Sequence, residues 1–253
     1  MADIGKIEHR SKKELAYQIL KDAVIDRRWN PGEKKSLSEL SALLYVSRTP
    51  VAEACKLLEK EGWVIIKPQV GVEVVHLSRE EIWENYRIRA VLEGLAGTEA
   101  IQHLQERDLR KLQQLLAEME AAEPKNDYAR FYDVNRVFHR LIYQASKMNR
   151  LIQTLDHFWD SGRRYRFYYR HLPHVLEESN RTHRKILAAL KARKVSPVRT
   201  FLEKDTLDFG KMLTRYFERN DLRSSDWTKL ATLPGRAARS PKAPNPLTQN
   251  GRK

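Results

Sequence analysis

The chain has 253 residues, room for one large domain or two smaller ones. Its 41% hydrophobic and 32% charged residues describe a soluble, charge-rich globular protein, and no apolar run nears the roughly 18 residues that a membrane helix needs. One cysteine, Cys55, excludes an internal disulfide and suits a reducing cytoplasm, and the opening MADIGKIEHRSKKE has no apolar signal-peptide core. The net charge of +14 points to a polyanionic partner, but it is spread unevenly. Residues 1–75 hold 13 Lys and Arg against 11 Asp and Glu, residues 76–218 hold 26 against 20, and residues 219–253 hold 8 against 2.

Residues 1–10 read as a flexible N-terminus. Ser11 and Glu14 have capping-box spacing, and Leu15, Ile19, Ala23 and Val24 follow at helical intervals, predicting a helix to about Arg28 before the Asn30-Pro31-Gly32 turn. Ser36 and Glu39 open a second, short helix to about Leu44. Ser47 is an N-cap for a third running to about Glu61, with Pro50 in its first turn. After Gly62 the apolar pattern turns extended through Trp63–Ile66, breaks at Pro68–Gly71 and resumes at Val72–Val75. This predicts a two-stranded hairpin with Gly71 at its tip. Helix, helix, turn, helix and hairpin within residues 11–76 are the layout of a winged helix-turn-helix. Helical periodicity restarts at Ser78-x-x-Glu81 and persists to about Phe217, with breaks near Pro124–Asn126, Leu172–Pro173 and Lys194–Pro197. Residues 77–220 therefore read as an all-α bundle of five to seven helices, so the fold class is mainly α with a small β-hairpin wing. Residues 221–253, rich in Ser, Pro, Arg, Lys and Asn, read as a disordered basic tail.

A recognition helix presents its first residues to base edges while nearby hydroxyls hold phosphates. Arg48 is the candidate for a bidentate contact with guanine, and Ser47 and Thr49 for phosphate contacts. Lys34 and Lys35 are placed to hold the DNA backbone. Lys67 gives the wing a positive charge, and Gly71 lets its tip approach the minor groove. Asn30-Pro31-Gly32-Glu33, Leu40, Val46-Ser47-Arg48-Thr49-Pro50-Val51, Glu53-Ala54 and Leu57-Leu58-Glu59-x-Glu61-Gly62 together resemble the DNA-binding domain of GntR-type regulators. That family usually has a DNA-contacting arginine where this chain has Ala52, so its usual operator does not transfer unchanged. Cys55 reads as a small buried apolar residue.

Tyr86-x-x-Arg89-x-x-Leu92-Glu93-Gly94-Leu95-Ala96, Phe138-His139 with Leu141-Ile142, Ala145 and Asn149-x-x-Ile152, and His183-x-x-Ile186-Leu187-x-Ala189-Leu190 resemble the FadR-type ligand-binding domain (the FCD domain). The resemblance implies a divalent metal held by an aspartate or asparagine, a histidine four residues on and two further histidines. It maps Asn135, His139 and His183 onto the first three positions and Asp205 onto the last. Residues at i and i+4 share a helix face, so Asn135 and His139 can enter one cavity. Two nitrogens and two oxygens suit zinc, nickel or manganese and leave positions open for a ligand carboxylate. The other reading is a metal-free pocket in which the histidines hydrogen-bond an effector directly. Family position makes Arg89 and Asn149 effector-binding candidates, with Arg89 clamping a carboxylate or pairing with Glu93. The aromatic and basic stretch from Trp159 to Tyr169 either lines a pocket for a bulky acid or is core plus a solvated basic face. His157, His171 and His174 miss the ligand spacing and read as surface or loop residues.

The resemblance implies a homodimeric, cytoplasmic regulator, most simply a repressor that leaves a palindromic DNA operator when a small organic acid binds. It is not expected to be an enzyme: no nucleophile motif or phosphate-binding glycine loop is present. The alternatives are an architectural DNA-binding protein with a non-responsive second domain, or a metal-dependent hydrolase fused to a DNA reader.

Overall fold

The computed structural model of the chain describes residues 11–76 and 78–219; the stretch expected to be flexible at 1–10 and the tail expected from 221 lie outside the described residues. In chain order the elements are α1 (Lys12–Ile25), β1 (Lys34–Lys35), α2 (Leu37–Leu44), α3 (Arg48–Lys60), β2 (Val64–Lys67) and β3 (Gly71–Val74). There follow α4 (Arg79–Ala100), α5 (Glu106–Ala122), α6 (Tyr128–Ala145), α7 (Asn149–Gly162), a 3₁₀ segment (Arg163–His171), α8 (Val175–Lys191) and α9 (Val195–Arg219). The capping boxes at Ser11, Ser36 and Ser78 all form, each serine accepting from the N3 amide while the N3 glutamate accepts from the serine amide.

The first six elements enclose one core, in which Leu20, Val24, Trp29, Val51, Leu58, Trp63 and Val72 are buried. The sheet differs from the expected hairpin. It has three antiparallel strands in the order β1-β3-β2, with Lys34 opposite Glu73 and Lys35 opposite Val72. Two lysines in a row carry no strand pattern, so this edge strand was invisible to periodicity. The wing tip is also displaced from its expected place. Pro68, Gln69 and Val70 form the turn, and Gly71 is the first residue of β3, opposite Lys67. Gly71 has φ +121°, and a Cβ there would lie 2.7 Å from the Lys35 carbonyl oxygen, so β1 crossing the foot of the wing is what requires glycine. α1 ends three residues before its expected stop, because Arg27 turns left-handed at φ 58°.

The remaining helices form a bundle around Met119, Phe131, Phe138, Ile142, Leu155, Ile186, Leu190 and Leu202, all fully buried. A smaller aromatic core of Ile82, Tyr86, Tyr165, Tyr168, Leu213 and Phe217 lies beside it. α4 and α9 pack at close range because Gly97 faces Leu202 and Gly210 faces Tyr86; a Cβ at Gly97 would fall 2.1 Å from Leu202 Cδ1, and one at Gly210 would fall 2.7 Å from Tyr86 Cβ. Among the described residues no helix is long and apolar enough to cross a membrane.

Gly97→Ala should lower stability to urea by about 1 kcal/mol or more. Overpacking a tight core costs about 1–3 kcal/mol, which exceeds the roughly 1 kcal/mol alanine gains in helix propensity. A variant as stable as the parent would show that α4 and α9 can separate freely.

Candidate functional site

At the DNA reader, α3 buries Val51, Ala54, Cys55 and Leu58 and turns its other face outward. Burial, with Glu59 nearby, pushes the Cys55 thiol up to about 11, consistent with an inert packing residue. Ser47 caps α3 with extended backbone, yet its hydroxyl makes no capping hydrogen bond. Ser47, Arg48 and Thr49 are exposed, and among the described residues no hydrogen bond or ion pair occupies their side chains. Lys56, exposed one turn beyond Ala52, shares that outward face; a charged residue at helical spacing gave no reason to single it out in the sequence. The other proposed DNA contacts sit in ion pairs. Lys34 and Lys67 lie 3.7 and 2.7 Å from Glu73, and Lys35 lies 2.5 Å from Glu33. The hydrogen bond from Lys67 holds the Glu73 carboxyl below its ordinary range.

In the helical domain, α6 carries Asn135 and His139 on one inward face, α8 brings His183 and α9 brings Asp205. The two histidine Nε2 atoms lie 3.0 Å apart. Asn135 Oδ1 is 2.8 Å from His183 Nε2, and Asp205 Oδ2 is 3.3 Å from His139 Nε2. His183 Nδ1 stands 2.7 Å from the Ser179 carbonyl oxygen, which places its proton there and leaves the Nε2 lone pair facing inward. His139 Nδ1 stands 3.2 Å from Glu93 Oε2, without the alignment of a full hydrogen bond. Lone pairs thus converge on one point and require positive charge between them. Ligand atoms about 2.1 Å from a common ion, at 90–110° to one another, sit about 3.0–3.4 Å apart. The His139–His183 and His139–Asp205 gaps meet that spacing, while Asp205, no nearer than 3.7 Å to His183, would have to close in on an ion. A second proton on His139 meets the same demand. Burial alone would depress that imidazole, but Glu93 and then Asp205 lift it to about 9. Burial pushes His183 the other way, below its ordinary value.

Glu93 is the residue that sequence reasoning undervalued. It is fully buried, accepts from Arg89 Nε at 2.5 Å and Thr206 Oγ1 at 2.9 Å, and faces His139. Burial would raise its carboxyl, but Arg89 and then His139 hold it far below the carboxylate range. The spacing of Arg89 and Glu93 was visible; that the pair would be sealed beneath a histidine was not. Arg89 also stacks 3.8 Å over Trp159. Only its Nε is engaged, and the guanidinium lines a cavity with Tyr86, Asn135, Tyr169, Asp205 and Phe209. Ion pair and clamp are therefore compatible: Nε holds Glu93 while Arg89 also lines the cavity. The cavity has about 40 Å³ for water centres, space for about three waters. Asn149 is not part of it. It lies exposed in the first turn of α7, because α6 ends at Ala145 and the chain reverses before it.

The Trp159–Tyr169 stretch is neither a simple pocket wall nor a solvated face. Trp159 and Tyr169 serve the site just described, while Arg163, Arg164 and Tyr168 face the winged helix. Arg27 donates to Tyr168 Oη at 3.1 Å and to the Arg164 carbonyl at 3.2 Å. Arg164 donates to the Gly62 carbonyl at 3.2 Å and stacks 4.6 Å over Trp63, and Arg163 lies 3.5 Å from Asp22. His171 is half-buried against Tyr216, not a free surface residue.

Comparison with known proteins agrees with this anatomy. The sequence profile of bacterial regulatory proteins of the gntR family matches residues 12–74, and that of the FCD domain matches residues 84–204. The HTH-type transcriptional regulator McbR of Escherichia coli K12 is 30% identical over 195 residues, covering 76% of this chain and 88% of McbR. The HTH-type transcriptional repressor RspR of the same organism is 26% identical over 213 residues, 83% of this chain and 91% of RspR. The solved structure of E. coli McbR/YncC superposes with a TM-score of 0.69 at 27% identity, covering 83% of this chain and all of that one. The chain belongs to the GntR family of DNA-binding transcriptional regulators, with an N-terminal winged helix-turn-helix and a C-terminal FCD domain.

Proposed function

We propose that this protein is a ligand-responsive repressor that binds a palindromic operator as a homodimer and releases it when a small organic acid enters the helical domain. One observation carries the reading. Asn135 and Asp205 line one cavity with Arg89 and are themselves in contact with His183 and His139, and the 3₁₀ segment that supplies Tyr169 to the cavity wall also supplies Tyr168 to the winged helix. Asn135, His139, His183 and Asp205 would hold zinc, nickel or manganese, and the ion would offer an acid's carboxylate a fixed positive partner opposite Arg89. The small cavity favours a compact acid; a bulky one would have to displace Tyr169. RspR, named a repressor, is similar over most of this chain, which supports repression. Ile88, Val91 and Leu95 form an exposed apolar stripe on α4, a face suited to a second copy.

The 3₁₀ segment is the proposed transmission element. Such helices rarely run beyond about four residues and often mark hinges; this one spans nine residues, Arg163–His171. An acid that moves Tyr169 acts one residue from the Tyr168–Arg27 bond. A coupling of about 1–3 kcal/mol would change operator affinity from about fivefold to a hundredfold.

Protein reloaded with Zn²⁺, Ni²⁺ or Mn²⁺ and then dialysed should retain close to one ion per chain by elemental mass spectrometry, and His139→Ala and His183→Ala should each lose it. Equal retention by both variants would remove the cluster as the metal site. Arg48→Ala should cost roughly 1–3 kcal/mol on a duplex enriched from a random library, measured by fluorescence anisotropy. Equal loss on a scrambled duplex would make Arg48 a phosphate contact instead of a base reader. With small mono- and dicarboxylates as titrants, Arg27→Ala should still bind the active acid calorimetrically while its operator affinity responds at least severalfold less. An undiminished response would place the coupling elsewhere.

A further inference from the structure

Tyr45 joins α2 to α3 in the left-handed region, at φ 55° and ψ 38°, where a side chain crowds its own backbone and glycine or asparagine is the usual occupant. Its amide does the work of a helix stop, donating toward the Ser41 and Ala42 carbonyls. Its side chain does nothing comparable. Tyr45 is 84% exposed, the most open large apolar residue described, and Leu43 two positions earlier is 63% exposed. Among the described residues, no hydrogen bond reaches the Tyr45 hydroxyl and no aromatic or cationic group stacks on its ring. Two other residues forced left-handed recover part of the cost through their side chains. Arg27 reaches Tyr168, and Arg193 donates to the Ile101 and Leu104 carbonyls. Among the described residues Tyr45 has no such return. It stands in the turn of the helix-turn-helix, two residues before Ser47 and three before Arg48, at the end of α3 that meets the groove.

We propose that Tyr45 is a DNA-backbone contact, its ring lying on a deoxyribose and its hydroxyl donating to a phosphate oxygen beside the base read by Arg48. This assignment rests on the reading of α3 as the recognition helix. An aromatic ring with one hydroxyl suits the apolar sugar and its anionic neighbour together, and such contacts fix register without reading sequence. The residue is neutral, so it adds affinity without adding to the salt dependence that lysine contacts create.

The test uses the full chain and two labelled duplexes: the one that the wild type enriches from a randomised library, and a scrambled duplex of the same composition. Tyr45→Gly relieves the left-handed backbone, so its melting temperature should equal or exceed that of the parent while its Kd rises about tenfold on both duplexes. The slope of affinity against salt should not change. Tyr45→Phe should lose about two- to threefold, reporting the hydroxyl alone. Unchanged affinity in Tyr45→Gly overturns the proposal, and a loss confined to the enriched duplex overturns the backbone assignment in favour of base reading. Arg48→Ala is the control for the underlying reading. If it weakens binding while Tyr45→Gly does not, only the Tyr45 proposal fails. If the wild type enriches no sequence, the recognition-helix reading fails and takes the Tyr45 assignment with it.

Discussion

The helical domain depends on one electrostatic constraint: a carboxylate, Glu93, that no water reaches. Taking such a charge out of solvent costs several kcal/mol unless partners meet it. Arg89, Thr206 and His139 do so from α4, α9 and α6. The Arg89 contact lies within α4, but those of Thr206 and His139 fix the rotation of α4 against α9 and α6 more tightly than apolar packing would, because hydrocarbon surfaces slide and a buried charge does not. The same constraint sets the chemistry of the cavity. With Glu93 spent on Arg89 and His139, Asp205 is left as the anionic donor that faces both histidines. A proton or a divalent cation can then fill one place, and the two compete for the same lone pairs. On the proposed reading, a ligand that recruits a metal would alter the charge on His139, and through Glu93 the anchoring of Arg89.

That chain of contacts leads outward by a short route. Arg89 stacks on Trp159, Trp159 ends the last full turns of α7, and the 3₁₀ segment begins where α7 stops. From there Arg164 and Tyr168 grip Gly62, Trp63 and Arg27 of the winged helix. The seam is polar and aromatic, built from hydrogen bonds to backbone carbonyls and cation–π stacks. Contacts of this kind have preferred geometries and can be remade one at a time, which would suit the proposed transmission between two arrangements. A fused apolar core between the domains would have locked them together.

Much of this was legible in the sequence, for reasons that differ by element. The capping boxes at Ser11, Ser36 and Ser78 rest on contacts three residues apart, so their signal is local and strong. Asn135 and His139 share a face by helical geometry alone. The meeting of His183 with Asp205 needed the family resemblance, since no local rule relates residues on different helices. What escaped notice was mostly defined by distant partners. β1 exists only because β3 lies beside it, and Gly71 is glycine because β1 crosses it. The 3₁₀ segment looked like an ambiguous aromatic and basic run because its role is to touch two domains at once. The breaks at 101–105 and 146–148 lack proline or glycine and so carried no stop signal.

The charge distribution bears on how the reader finds DNA. Residues 1–75 are nearly neutral, and Lys34, Lys35 and Lys67 are paired with Glu33 or Glu73. The lysine ends of these part-buried pairs remain open to solvent, so a phosphate can compete for them, but the free protein presents a muted field. Nonspecific attraction is accordingly weak in this domain. On the proposed reading, discrimination would fall to Ser47, Arg48 and Thr49 at the start of α3, with Lys56 behind them, whose side chains have no hydrogen-bond or ion-pair partner among the described residues. A reader built this way surrenders much of its loosely held binding to random sequence and keeps the contacts whose geometry depends on the site. Since those groups sit on a single helix end, a small rotation of the winged helix at the Arg27 seam would remove most such contacts together. On the same proposed reading, the weak background field would make an effector's modest coupling sufficient to empty an operator.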